Sequence, residues 1–323
     1  MDKTERKATM KEERIRSGDG TELYCSQWIP AADTPVKGCA LVLHGMADHA
    51  ARFSSLAAAL SEAGYAVYAY DQRGHGRTAG SDEAIGIIAD SDGMDLLVED
   101  ARLMISKLRE DFGAVPVFLI AHSMGSFVAQ GFAQRYGDSI SGMVLSGSNG
   151  SIGVMADLAK LVAKNEIKKH GRNRRSEKLN TLSFGSFNNN FRPNRTAFDW
   201  LSSVDAEVDK YVGDPWCGGV FTAGFFYDLA DFLKRIHQKH NLEKVPANLP
   251  IALFSGDVDP VGGRKGAGKL YREYKKRGIA DISLKLYPNA RHEILNEKNR
   301  EEVEQDILGW ISARSGSARR SGQ

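Results

Sequence analysis

The sequence predicts an α/β protein: a doubly wound, mostly parallel, eight-stranded sheet interrupted by one helical cap insertion. Three observations lead there. Short continuous apolar runs, Cys39–Leu43 the first of them, read as strands buried on both faces. Between these runs the apolar residues change to a helical period. One long stretch, 149–245, drops the alternation altogether. A chain of 323 residues, 42% hydrophobic and 26% charged, can bury such a core.

The elements follow in order. Two strands open the fold, near Glu12–Arg16 and Glu22–Trp28, and Ser17-Gly18-Asp19-Gly20 between them is hairpin chemistry. Residues 31–37 form a loop. Buried strands follow at Cys39–Leu43, Ala66–Tyr70, Val117–Ile120, Met143–Leu145, Ile251–Phe254 and Ile282–Leu286. Met94, Leu97, Val98, Ala101, Ile105 and Leu108 share a helix face; so do Val128, Phe132 and Tyr136, and Val303, Ile307 and Ile311. Such alternation selects a parallel sheet with right-handed crossovers and helices on both faces. Residues 1–148 and 246–314 then form the core. Residues 149–245 form a mostly helical cap, too long for a connection and too apolar for a linker. Residues 315–323, rich in Ser, Gly and Arg, read as a disordered tail.

Composition excludes several function classes. Lys+Arg number 43 and Asp+Glu 41, so no strongly basic face is available for nucleic acid. Cys25, Cys39 and Cys217 match no zinc or haem spacing and fit a reducing compartment as small hydrophobes. There is no His-Glu-x-x-His, so neither a catalytic metal nor another cofactor is expected. Residues 1–16 are dense in Lys, Glu and Arg, with no apolar stretch of signal length, and no run is apolar enough to span a bilayer. Cytoplasmic localisation is the expectation. Gly263-Arg-Lys-Gly-Ala-Gly268-Lys269 is one residue short of a phosphate-binding loop and lacks the Ser or Thr that would follow the lysine. It reads as a loop entering a helix.

The sharpest local signal is Pro116-Val-Phe-Leu-Ile-Ala121-His122-Ser123-Met124-Gly125. An apolar strand turns at Ser123 straight into a helix, which presents the hydroxyl above the sheet. The positions two before and two after Ser123 must be small, because the turn crowds backbone segments together. Ala121 and Gly125 satisfy this. The five-residue pattern alone also fits a serine in an ordinary turn; the flanking strand and helix favour the elbow.

A serine hydroxyl at neutral pH needs a base, and the base needs a carboxylate to hold its tautomer. His292 follows the last strand and can reach the same sheet edge. Asp259 follows the preceding strand in Gly256-Asp-Val-Asp259-Pro-Val, with Asp257 as the rival in the same loop. His44-Gly45-Met46, after the first buried strand, can aim the Met46 N–H at a developing oxyanion. The Met124 N–H, next to the nucleophile, is the second donor.

Taken as an ordered set, these motifs resemble the lysophospholipase and monoacylglycerol lipase branch of the α/β-hydrolases. The likeness rests on His44-Gly-Met-Ala-Asp-His49-Ala-Ala-Arg52-Phe53, Asp71-Gln-Arg73-Gly-His75-Gly76, Ala121-His-Ser123-Met-Gly125, Gly256-Asp-Val-Asp259-Pro-Val and Ala290-Arg-His292. It spans roughly residues 14–313. Ala121 for the usual Gly, Phe53 for a common Tyr, and Gln72 are small departures. The resemblance implies a Ser123–Asp259–His292 triad, an oxyanion hole at Met46 and Met124, no cofactor, and esters carrying one acyl chain. Arg73 and His75 are expected to brace loops.

The expected reaction is a two-step acyl transfer through an acyl-enzyme. The cap holds more than half of the 14 phenylalanines, plus Trp200 and Trp216. That suits a lipid-like substrate, and equally a cap with a small core of its own. Its basic run, 164–178, suits transient contact with a membrane surface or a solvated helix face. The alternatives are a general carboxylesterase, a proline-iminopeptidase-like hydrolase, and a ligand-binding protein that retains the fold. An Asp-nucleophile epoxide hydrolase or dehalogenase is disfavoured by Ser123.

Overall fold

The computed structural model describes residues 9–316. A hairpin of β1 (Thr9–Arg16) and β2 (Glu22–Ile29) leads into β3 (Gly38–Leu43), α1 (Ser54–Glu62), β4 (Tyr65–Tyr70), the short α2 (Gly76–Ala79) and α3 (Gly93–Phe112). The chain continues through β5 (Val117–His122), α4 (Met124–Tyr136) and β6 (Gly142–Ser146). The insertion follows, with α5 (Val154–His170), α6 (Glu177–Phe184), α7 (Asp205–Gly213), α8 (Ala223–Ile236) and α9 (Lys239–Leu242). The sheet resumes with β7 (Ile251–Gly256), α10 (Gly263–Lys276), β8 (Ile282–Tyr287) and α11 (Arg300–Ser315).

Across the sheet the order is β1-β2-β4-β3-β5-β6-β7-β8. The β1–β2 and β2–β4 pairs are antiparallel and the rest parallel. This is the α/β-hydrolase fold. Side-chain alternation divides the core in two, as period-2 geometry requires. Leu41, Leu43, Leu119 and Leu145 face α3 and α4, while Val42, Phe118, Ile120 and Val144 face α1 and α11. Helices thus cover both faces, and the central strands read as continuous apolar runs.

Two expectations need correction. Ile282–Leu286 is not buried on both faces: β8 is an edge strand, and its four middle residues are half-buried. Lys285 sits there, paired with Glu302 and Asp306 of α11, which suits an edge with no further strand to pair. Ser315 is not in a tail; it is buried at the end of α11, and its hydroxyl lies 3.0 Å from that of Tyr65. The remainder of the expected tail, 317–323, lies outside the described residues.

The insertion is helical, with one isolated bridge, Arg175–Thr222, as its only strand-like pairing. The basic helical stretch breaks at Gly171, whose φ of 88° ends α5. The Gly263–Lys269 stretch is simply the start of α10.

Arg73 braces the loop after β4, as expected. Its guanidinium donates to both oxygens of the fully buried Asp100 at 2.6 and 2.8 Å, and also bonds Asp19 and Ser17 of the hairpin turn. Asp100→Ala would take two of the six hydrogen bonds of that buried cation, along with its buried carboxylate. We expect a loss of about 3–5 kcal/mol, read as a lower midpoint in urea or thermal unfolding.

Candidate active site

Parallel register brings the ends of β3, β5, β6 and β7 to one edge, with Leu43 beside Ala121 and His122 beside Ser146. Ser123 sits between β5 and α4 at φ 51°, ψ −120°. A residue with a Cβ resists that left-handed conformation, which stores strain of about 1–3 kcal/mol. Its neighbours hold it there. The Ser123 N–H donates to the Ser146 carbonyl at 2.9 Å, and the Ser126 hydroxyl donates to the Ser123 carbonyl at 2.6 Å. The start of α4 lies against the turn after β3. A Cβ on Gly125 would stand 2.5 Å from the Leu43 carbonyl oxygen and 2.6 Å from that of His44. A Cβ on Gly45 would stand 3.2 Å from the Cβ of Ser123. Contact with backbone oxygens is what demands a small residue at 125.

Two N–H groups lie in the segments that meet at this elbow. Met124 opens α4, where an N–H has no intrahelical acceptor. Met46 lies in the turn after β3, and its N–H meets no acceptor among the described residues. That turn is gripped from the insertion: the Ala47 carbonyl accepts from the Tyr211 hydroxyl at 2.9 Å and the Gly218 N–H at 3.0 Å.

His292 and Asp259 meet in the interior. Nδ1 of His292 lies 2.9 Å from Oδ1 of Asp259, and both residues are buried. The other Asp259 contact on that oxygen is the Val261 N–H at 2.7 Å. Asp257 is elsewhere, accepting from the Asn289 N–H and the Arg264 guanidinium. Gly147, at φ 57°, makes room for the His292 ring: a Cβ there would stand 2.8 Å from Cε1 of His292. The His292 ring thereby lies beside His122, the residue before Ser123, with centroids 4.6 Å apart. Ser123 Oγ itself forms no hydrogen bond with another described residue.

Electrostatics separates the histidines. Burial disfavours the His292 imidazolium, but the Asp259 carboxylate outweighs it, and Glu293 and Asp48 add to that; the pKa is raised. Burial holds His122 down to about 4 and His44 and His75 down to about 3. His44 must carry its proton on Nδ1, because Nε2 accepts from the Gln72 N–H at 2.9 Å. The Gln72 amide also donates to the His44 carbonyl at 2.7 Å, so this residue clamps the turn that carries Met46. Among the described residues one trio, His49, Asp214 and Cys217, brings potential metal donors within 4.8 Å of one another. Burial pushes the Cys217 thiol well up, and His49 is already bonded to Asp214 at 2.9 Å. The trio therefore serves as a contact between the insertion and the loop after Ala47.

A family model described as "Serine aminopeptidase, S33" matches residues 34–299. The chain belongs to this family of α/β-hydrolases. The S33 match is joined by whole-length relatives. A monoacylglycerol lipase of Mycolicibacterium smegmatis is 27% identical, over 94% of this chain and 98% of the relative. The human monoglyceride lipase is 28% identical, over 94% and 90%. The crystal structure of a thermostable carboxyl esterase from Bacillus coagulans superposes with a TM-score of 0.86 at 28% identity, covering 95% and 99%. A soluble variant of the Saccharomyces cerevisiae monoglyceride lipase, at 20% identity and TM-score 0.72, shares the fold. This S33 member is thus a serine hydrolase related to monoglyceride lipases and carboxylesterases.

Several site residues lay outside the sequence reading. Arg52 was visible only as part of a motif; its guanidinium forks onto Glu293 and also reaches Asp48. Trp200 lies over the base, ring centroids 5.0 Å apart, and its carbonyl accepts the His292 N–H at 3.4 Å. Charged residues flanking a motif inside apolar sequence were the available signal for Arg52 and Glu293. Nothing in the sequence points from Trp200 to His292.

Gly125→Ala should push the β3 turn off the elbow. We expect about 2–3 kcal/mol of lost stability, seen as a lower melting temperature.

Proposed function

We propose that this protein hydrolyses carboxylic esters with Ser123 as nucleophile, His292 as base and Asp259 as orienting acid. The observation that carries the reading is the buried His292–Asp259 hydrogen bond on the sheet edge that also bears the strained Ser123. His292 takes the hydroxyl proton as Ser123 attacks the carbonyl carbon. The oxyanion accepts from the N–H groups of Met46 and Met124. His292 then hands the proton to the leaving alcohol, and water releases the acid by the same route. The Ser123–His292 hydrogen bond closes with substrate in place, as apo sites often require.

The substrate class we propose is a lipid with one acyl chain, a monoacylglycerol or lysophospholipid. Phe184, Phe187, Phe198 and Trp200 form an aromatic cluster of the insertion beside His292. Phe191 packs on the same cluster, whereas Phe221, Phe225, Phe226 and Phe232 belong to the main core and carry no argument about substrate. Val154, Met155, Leu158 and Leu161 of α5 are 52–79% exposed, on a helix that also carries lysines. Such a face suits transient contact with a membrane surface; no described helix is long and apolar enough to cross one. Both whole-length sequence relatives named above carry lipase names. No step of this chemistry requires a metal or cofactor, and we place the protein in the cytoplasm.

The family description favours a second reading, an aminopeptidase. That reaction needs a carboxylate free to bind a substrate ammonium. Asp48 and Glu293 are both engaged by Arg52, and Asp214 by His49. Ester hydrolysis is therefore preferred.

Ser123→Ala should lose fluorophosphonate labelling and turnover while its melting temperature stays within a few degrees; full activity in this variant would refute the assignment. In a panel of p-nitrophenyl esters, monoacylglycerols, lysophospholipids and aminoacyl anilides, kcat/KM should rise with acyl length; a preference for acetyl esters or anilides would sink the lipid reading. His292 must be neutral to accept the proton and its pKa is raised. Activity should therefore fall with decreasing pH through a midpoint above the ordinary histidine value of about 6.5. A midpoint below about 6 would contradict this.

A further inference from the structure

The steps above use three side chains, yet a second group of charges lies buried beside the base. Glu293 follows His292 directly, and its side chain is 7% exposed. Arg52 donates to both of its carboxylate oxygens, at 2.7 and 2.6 Å, and to Asp48 at 3.1 Å. The guanidinium also rests on the Tyr211 ring at 4.8 Å. Two carboxylates against one guanidinium leave a formal charge of −1 in the interior. Burying it is unfavourable, and apolar residues of similar volume would fill the space without that cost. A cavity with room for about one water opens on Asp48, Arg52, His122 and Glu293, so the charges are not fully dry.

The network also joins two parts of the site. Arg52 and Asp48 belong to the segment that continues from the Met46 turn, and Glu293 belongs to the loop that carries the base. The Glu293 N–H is anchored to the Leu201 carbonyl of the insertion at 2.8 Å. The charged and titratable groups acting on His292 are Asp259, Glu293 and Asp48, together with His122, which burial keeps neutral near pH 7; Arg52 is bound to two of these, Glu293 and Asp48. The insertion contributes only the Trp200 ring and carbonyl to that surround.

We propose that Glu293, held by Arg52, is a positioning residue that sets the placement and the proton affinity of His292. This rests on the Ser123–His292–Asp259 reading. The carboxylate stabilises the imidazolium that forms when Ser123 gives up its proton; the guanidinium tempers that effect and fixes the carboxylate's place. The two members of the pair therefore act on the base with opposite signs.

The test is the pH dependence of kcat/KM for a short ester, on the full chain. Glu293→Gln removes a negative charge, so its acid limb should move to lower pH by roughly half a unit or more. Arg52→Gln removes a positive charge, so its limb should move the other way. At neutral pH kcat should fall about tenfold or more in both variants, with KM within about threefold. Glu293→Asp should return the limb towards its wild-type position. If both limbs move the same way, or stay put while activity falls, Glu293 is only a brace and the proposal is overturned. Should Arg52→Gln fail to fold, Arg52→Lys keeps the charge and should leave the limb in place, and a displaced limb there would count against the proposal. Fluorophosphonate labelling at pH 9 distinguishes the two readings: wild-type protein that fails to label overturns the Ser123 assignment, whereas variants that label there with unmoved limbs overturn only this one.

Discussion

The elbow at Ser123 is where the fold concentrates its constraint. A serine at φ 51° is unfavourable by itself, and it survives because the surrounding backbone leaves no alternative. β5 enters from a sheet buried on both faces, and α4 leaves with ten of its thirteen residues buried, so neither can shift to relieve the turn. The close approach of Gly125 to the β3 turn fixes where the Met46 and Met124 N–H groups stand relative to the hydroxyl. Strain, donor geometry and nucleophile exposure are consequences of one packing arrangement.

Much of that arrangement was legible in the sequence. The central parallel strands announced themselves, because a strand covered on both faces must be apolar throughout, as Cys39–Leu43 and Ala66–Tyr70 are. The loops that carry Ser123, Asp259 and His292 were legible too, since each lies just past a strand end; the choice between Asp259 and Asp257 rests on the contact with His292. β8 was over-read as a central strand; its Lys285 was the sign of an edge. What stayed hidden depends on contacts between distant segments. The Arg52–Glu293 pair joins residues 241 positions apart, and Trp200 meets His292 across a helical insertion whose internal path no periodicity reveals.

The histidines illustrate how environment assigns roles to one side chain. His44, His75 and His122 are buried like His292, and burial, aided by neighbouring imidazoles, keeps them neutral. Of these four, His292 alone faces a carboxylate across a short hydrogen bond, and its pKa alone is raised. A buried imidazole becomes a base by acquiring a partner for the charge it will carry.

The insertion does more than cover the site. Tyr211 and Gly218 hold the Ala47 carbonyl, Trp200 and Leu201 receive the N–H groups of His292 and Glu293, and Arg291 and Glu297 bond the 199–203 segment. The two loops that carry Met46 and His292 thus take part of their shape from a segment outside the sheet. Grafting another relative's insertion onto this scaffold would consequently alter turnover along with preference, because the transplanted piece brings its own set of struts.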